Sequence, residues 1–227
     1  MNTPRPNTTV ICDFDGTITE DDMLDEVARR FGDAAVYASV DESLHRGALS
    51  LREVIRREFE PVRAPLPDVV AWVLENVRVR PGFGELVGLA RRRGHRLVVL
   101  SSGFRELIEP VLARERIEVE LHANSVDPRP EGWRIRWRDE AVCETCDEAC
   151  KRATVRTFAR GGPLVYIGDG YSDRCAALAS DRVFAIRGLA AYLKSEGIPY
   201  EPFRDFFDIA RALESQNSFR NDASSSV

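Results

Sequence analysis

Short apolar runs bounded by turn residues recur along the chain at Thr9 to Cys12, Arg96 to Leu100, Val119 to His122, Leu164 to Ile167 and Val183 to Ile186. Each has the length and boundaries of a buried strand. Helical spacing of apolar positions falls between most of them, over Phe83 to Arg93, Phe104 to Arg114, Lys151 to Ala159 and Ser172 to Ala179. Strands that alternate with helices predict an α/β fold with a mainly parallel sheet.

Two stretches break this rhythm. From Glu20 to Val77 the chain holds four amphipathic helical patterns (DMLDEVARRF, DAAVYASVDESLHRG, SLREVIRREFEPV and LPDVVAWVLENV) and no convincing strand. A small helical cap inserted after the first strand is the expectation, so that 8–19 and 78–214 form the core domain and 20–77 the cap. Further on, HANSVDPRPEGWRIRWRDEAV carries turn signals at Val126 to Pro130 and Gly132, and WRIRW alternates like an exposed hairpin strand. It reads as a surface excursion in which Trp133 and Trp137 share one face and cover either the core edge or a homodimer contact. The ends, 1–7 and 215–227, are polar and rich in Ser and Asn, the composition of flexible tails.

At 227 residues the chain is long enough for one core domain with an insertion. With 44% apolar and 30% charged residues and a net charge of -5, it has no global attraction to nucleic acid or to an anionic membrane. The Arg clusters at Arg91 to Arg93 and Arg134 to Arg138 read as solvated, ion-pairing faces. No apolar stretch is long enough to span a bilayer, and the opening MNTPRPNTTV lacks a secretory segment, so a cytoplasmic location is expected. Five cysteines, an odd number, fit a reducing compartment better than a disulfide framework.

The chemistry-bearing residues stand where the strands end. In a parallel α/β sheet, ligands bind beyond the carboxyl ends of the strands. The first strand ends in Asp13-Phe14-Asp15-Gly16-Thr17, the second in Ser101-Ser102-Gly103, and the strand Leu164 to Ile167 in Gly168-Asp169-Gly170-Tyr171-Ser172-Asp173, while Lys151 opens the helix before that strand. Four carboxylates brought together repel and demand a cation, for which Mg²⁺ with its preference for hard oxygen ligands is the best match. A metal, Lys151, and the hydroxyls and amides around Ser101, Ser102 and Gly103 would cradle a phosphate dianion. One carboxylate would remain as the nucleophile. Two carboxylates at i and i+2 of an extended strand share a face, so one can attack phosphorus while the other reaches the leaving oxygen.

DFDGT, a serine after the second strand, a lysine and GDGYSD, in that order, resemble the haloacid dehalogenase superfamily of phosphatases, whose pattern would span Asp13 to Asp173. The resemblance implies a Rossmann-like core and a Mg²⁺-dependent phosphomonoesterase that passes through an aspartyl phosphate. Asp13 would then be the nucleophile and Asp15 the general acid and base. The metal would be held by Asp13, the Asp15 backbone carbonyl and Asp169, with Asp173 orienting its waters. Ser101 or Ser102 would bind phosphoryl oxygens, and Lys151 would neutralise charge. Ser172 departs from the Asn of the more usual GDGxND. All five of Asp13, Asp15, Lys151, Asp169 and Asp173 are present, which weighs against a non-catalytic binding protein on the same fold.

The inserted helices are similar to the cap of the phosphoserine phosphatase-like branch, which implies that Asp22 and either Arg56 or Arg57 grip the substrate. Asp22 stands where that branch has Glu. HANSVD, the Trp hairpin, VCETCDEACK and IPYEPFRDFFDIARAL instead resemble the 2-hydroxy-3-keto-5-methylthiopentenyl-1-phosphate phosphatase family of methionine salvage. A small phosphorylated metabolite of that type is the first expectation and phosphoserine the alternative. Cys143, Cys146 and Cys150 form C-x₂-C-x₃-C directly before Lys151. A second metal site, a disulfide or redox pair, and thiols that only pack are all open. Tetrahedral zinc would need a fourth ligand, His122, water or none, with Cys12 and Cys175 less available inside core elements.

Overall fold

Seven strands form one sheet in the order β4-β3-β2-β1-β5-β6-β7 in the computed structural model, which describes residues 8–46, 48–159 and 162–222. They are β1 (Thr9–Cys12), β2 (Arg96–Phe104), β3 (Glu120–Asp127), β4 (Arg134–Arg136), β5 (Leu164–Gly168), β6 (Arg182–Ala185) and β7 (Glu201–Pro202). All neighbours are parallel except β3 and β4. All four residues of β1 are buried, as expected of a central strand covered on both faces. Val10 and Cys12 join one apolar cluster and Ile11 the other, so strand alternation divides β1 between the two layers. One layer holds α5 (Phe83–Arg93), α6 (Arg105–Arg114) and α10 (Phe206–Asp222). The other holds α7 (Arg152–Phe158), α8 (Arg174–Ala177) and α9 (Arg187–Ser195).

From β1 the chain builds outward through β2 and β3 on one side, then returns to lay β5 on the other. The carboxyl ends of β1 and β5 therefore flank the topological switch point, the crevice where open α/β sheets bind ligands. Asp13 and Asp169 each follow one of those strands directly.

Four helices occupy the interval 20–77: α1 (Met23–Phe31), α2 (Ala34–His45), α3 (Leu51–Phe59) and α4 (Leu66–Asn76). Side chains start two of them. The Asp22 carboxylate accepts from the Asp25 amide at 2.9 Å, and Ser50 Oγ accepts from the Glu53 amide at 3.2 Å. Val27, Phe59, Val69 and Val73 are buried in the same cluster as Phe104, Leu107 and Val111, so the insertion shares apolar contacts with the core.

The Trp hairpin forms the edge strand β4 with Arg134 and Arg136 exposed, and of the two placements expected for its tryptophans Trp133 takes the core edge. Trp133 is fully buried, its ring 6.3 Å from Phe59 and 6.5 Å from Phe104, and its indole N–H donates to the Ala64 carbonyl at 3.1 Å. It braces α3 against the end of β2. Trp137, by contrast, is half-buried and carries the Arg52 guanidinium 4.6 Å above its ring. Three boundaries differ from expectation. The strands β2 and β3 run on to Phe104 and Asp127, and α10 continues to Asp222, past the predicted start of the tail at 215. The helix expected from Ser172 begins instead as a tight turn over Tyr171–Asp173, because the Asp173 carboxylate folds back onto the amides of Asp169 and Gly170 at 2.9 and 3.0 Å. Among the described residues no helix is long and apolar enough to cross a membrane.

Candidate active site

Lys151 closes the bottom of the crevice. It is 1% exposed, and its ammonium donates to the Asp13 carboxylate and, at 2.7 Å, to Asp173 Oδ1. A fully buried ammonium is tolerable only with such partners. Burial works against its charge, but the two carboxylates outweigh that and hold Lys151 firmly protonated. Asp173 Oδ1 also accepts from Tyr166 Oη at 2.7 Å, and its Oδ2 takes the amides of Asp169 and Gly170. Both oxygens of Asp173 are thus engaged by the protein. Asp169 accepts from Thr17 Oγ1 at 3.0 Å and lies 3.5 Å from Arg187 Nη1.

Asp15 sits across the crevice and meets the end of β2. Ser101 Oγ donates to Asp15 Oδ2 at 2.9 Å and accepts the Gly103 amide at 2.7 Å. A Cβ at Gly103 would lie 2.7 Å from Asp15 Oδ2, so the close approach of β2 requires glycine there. Asp15 Oδ1 is buried with no partner among the described residues, leaving one oxygen of this carboxyl unsatisfied by them. The two serines part ways. Ser101 is fully buried behind Asp15, whereas Ser102 lines the cavity, its carbonyl held by Asn124 Nδ2 at 2.7 Å. Gly16, at φ 73°, turns the chain away after Asp15, as its place in the motif suggests, and a Cβ there would collide with Asp169 Oδ2.

One oxygen each from Asp13, Asp169 and Asp173 lie within 4.8 Å of one another. Burial, and after it the Asp173 charge, push Asp13 well above the usual carboxylate range. Burial and the Asp173 charge also lift Asp169 to about 7. Asp15 rises to about 7 through burial and the Asp22 charge, opposed by the Ser101 hydrogen bond. The Lys151 ammonium and the half-exposed Arg187 guanidinium are too little positive charge for these four carboxylates. A hard divalent cation fits both the deficit and the all-oxygen donors, with Asp13 and Asp169 free to ligate it.

A cleft of about 190 Å³ opens over Asp13, Asp15 and Asp169 and reaches Asp22, Leu24, Leu44, Leu51, Val54, Ile55 and Glu58 of the inserted helices. A second cavity of about 230 Å³ shares Leu51, Ile55, Ser102, Tyr171 and Ser172 with it. Asp22 is therefore at the cleft, on its solvent-exposed rim. Arg56 and Arg57 are not. Arg56 is ion-paired to Glu53 and Glu60 at 2.6 and 2.7 Å, and Arg57 to Glu53 at 2.6 Å, all along the outer face of α3. The expectation that either grips the substrate is corrected: Leu51, Val54, Ile55 and Glu58 occupy the inward face, and 56 and 57 fall on the opposite side of a 3.6-residue turn.

Several residues here carry no sequence signal. Arg80 ties the 16–20 turn together through the carbonyls of Gly16 and Thr17 at 2.9 and 2.8 Å, while Arg187, from the start of α9, reaches Asp169. Arg52 and Arg138 line the second cavity, and Arg138, donating to the Ser101 carbonyl at 3.0 Å, is not on the solvated face expected of Arg134 to Arg138. The three cysteines of the C-x₂-C-x₃-C motif stand together behind Lys151, joined by Cys175. His122, the alternative fourth ligand, is bonded to Glu120 at 2.8 Å and is not part of the group.

Against known proteins, residues 10–178 match the model of the haloacid dehalogenase-like hydrolase family. The chain is similar to 2-hydroxy-3-keto-5-methylthiopentenyl-1-phosphate phosphatases. With that of Geobacillus thermodenitrificans it shares 31% identity over 209 residues, 90% of this chain and 94% of that one. With that of Brevibacillus brevis the identity is 29% over 211 residues, again 90% and 94%. Among solved structures, a phosphoserine phosphatase from T. onnurineus superposes with a TM-score of 0.68 at 21% identity, over 92% of this chain and 96% of that one, a likeness of fold.

Proposed function

The chain belongs to the haloacid dehalogenase-like hydrolase family and is a phosphatase, and from that premise we propose a Mg²⁺-dependent hydrolysis of a small phosphorylated metabolite through an aspartyl phosphate on Asp13. The observation that carries it is the division of labour between two carboxyls in one cleft. Asp13 is paired with Lys151, and Asp15 keeps one oxygen unsatisfied. In our reading Asp13 attacks phosphorus while Asp15, protonated, gives its proton to the departing alkoxide, so the P–O ester bond breaks as the acyl phosphate forms. Asp15, now ionised, takes a proton from the water that attacks this phosphorus, and phosphate leaves with Asp13 restored. Lys151 offsets charge on Asp13 throughout, and Asp173 positions Lys151. Ser102, which lines the cleft, would donate to phosphoryl oxygens on the β2 side, whereas the Gly103 amide is taken by Ser101 Oγ.

Asp13, Asp169 and the Asp15 backbone carbonyl would hold Mg²⁺, which would supply positive charge against the phosphoryl oxygens. The interval 20–77 is proposed as a cap over a core formed by 8–19 and 78–214. The substrate class is proposed as that of the methylthiopentenyl phosphate phosphatases. Leu24, Leu44, Leu51, Val54 and Ile55 offer an apolar wall suited to a thioether tail, and of the arginines of α3 only Arg52 comes near, lining the adjoining cavity rather than this cleft. Phosphate release should be measured on a panel containing 2-hydroxy-3-keto-5-methylthiopentenyl-1-phosphate and phosphoserine, with Mg²⁺ and with chelator. Turnover of the former that needs both Mg²⁺ and Asp13, abolished in Asp13→Asn, is expected. Preference for phosphoserine would overturn the substrate reading.

A further inference from the structure

Directly behind Lys151 four sulfur atoms converge. The Sγ atoms of Cys143, Cys146, Cys150 and Cys175 all lie within 4.8 Å of one another, and none is in a disulfide. Three come from an irregular loop and the fourth from α8, so the group joins two separate parts of the chain. Thiols are weak hydrogen-bonding groups with little reason to converge four at a time for packing alone. Four thiolates about one point are, by contrast, the donor set of a closed tetrahedral zinc site. With Zn–S bonds of about 2.3 Å, the sulfurs of such a site stand about 3.8 Å apart. Only a small contraction of the present cluster is needed.

The backbone around the sulfurs is also shaped for thiolates. Cys143 opens a tight turn, with the Asp147 amide donating to its carbonyl at 2.9 Å and its own amide donating to Glu148 O at 2.8 Å. Asp147 takes a left-handed φ of 55° to close that turn. The turn aims the Thr145 amide at Cys143 Sγ, 3.4 Å away, an N–H···S contact that stabilises negative sulfur. Arg152 Nη1 donates to the Cys175 carbonyl at 3.2 Å, placing a guanidinium beside the group. Cys146 is exposed and lets a metal enter, while Cys143 and Cys175 are buried.

We propose that Cys143, Cys146, Cys150 and Cys175 bind one zinc-class divalent ion, a structural site distinct from the carboxylate centre. The ion staples the loop to α8. Residues 137–150 contain no helix or strand, yet this loop must deliver Lys151 to a fully buried position against Asp13 and Asp173. Cys150 immediately precedes Lys151, and Cys175 lies two residues after Asp173, so the ion fixes both ends of the Lys151–Asp173 pair. The site itself does not depend on the catalytic reading. Only this positioning role rests on it.

The test is metal analysis of the full chain purified without chelator, by mass spectrometry of the metal content, alongside Cys146→Ser and Cys175→Ser. About one zinc per chain is expected, with loss of most of it in both variants and retention in Cys175→His, which keeps a ligand. Cobalt substitution should give the absorption of a tetrahedral thiolate site. Hydrogen exchange of 140–150 should rise in Cys146→Ser while the amides of β1 stay protected. Zinc-free protein that takes up none on titration would overturn the proposal, as would an intact mass two hydrogens low, the mark of a disulfide. Zinc bound without turnover of any ester would leave the site standing and count only against the phosphatase substrate reading.

Discussion

Ser101 Oγ donates to Asp15 Oδ2 at 2.9 Å, so the serine hydroxyl at the end of the second strand is held by the Asp15 carboxyl and is turned away from the cavity. A hydrogen bond to the ionised form of a carboxyl lowers its pKa. Ser101→Ala should therefore raise that of Asp15 above its value of about 7. In the proposed mechanism Asp15 must be protonated to release the alcohol, so activity is expected to fall as pH rises through its pKa. The pH–rate profile of the variant should show this alkaline limb displaced to higher pH. An unmoved limb with reduced rate would assign Ser101 to phosphate binding instead.

Buried carboxyls also make the metal-free protein sensitive to pH. Asp15 and Asp169 rise from 3.8 to about 7, chiefly through burial, so the folded state binds more protons than the unfolded one between those values. Stability from this source is fully present below the unfolded pKa and is lost as pH rises through about 7. The melting temperature of chelated protein should fall between pH 5.5 and pH 8 by about 5 °C. Mg²⁺ should recover more of it at pH 8 than at pH 5.5, as calorimetry with and without metal can check.

Arg56 and Arg57 face outward in exposed ion pairs with Glu53 and Glu60. Each such pair contributes about 0.2 to 1 kcal/mol. Arg56→Ala and Arg57→Ala should leave kcat/KM within about twofold, the change in either barrier being under 0.5 kcal/mol. A substrate clamp would lose far more, so steady-state kinetics of the two variants decides the matter.

Trp133 is fully buried between Phe59 of α3 and Phe104 of β2. Trp133→Ala should destabilise the protein by about 3 to 5 kcal/mol through lost burial and the cavity left behind. A lower denaturant midpoint at unchanged slope is the expected result.

Gly16 has φ 73°, and a side chain there would strike Asp169 Oδ2. Gly16→Ala combines backbone strain of about 1 kcal/mol with displacement of that carboxylate. The Mg²⁺ concentration needed for half-maximal activity should rise, measurable by metal titration of phosphate release.

The strand and helix rhythm was readable because its periods are local. The short run Thr9 to Cys12 has the length and boundaries of a strand buried on both faces, and Asp13, following it, emerges at the carboxyl end of the sheet's central strand. Which of the two placements the hairpin tryptophans take is not legible, for the opposite reason. WRIRW alternates as an exposed strand would, but alternation says only that two faces differ, and Phe59 covers the face that Trp133 presents. The arginines of α3 failed likewise: helical spacing places Arg56 and Arg57 on a face without saying what that face meets.

By itself the sequence determined the order of elements, the insertion after the first strand, and the set of Asp13, Asp15, Lys151, Asp169 and Asp173 at strand and helix ends. These follow from backbone periodicity and from the rule that parallel strands end at a common crevice. Only the tertiary structure decided which serine meets Asp15, which side of α3 looks into the cleft, and that Cys175 rather than His122 completes the cysteine group. Each of these is a contact between segments far apart in the chain, settled by how helices rotate and seat against the sheet when their apolar faces are buried together.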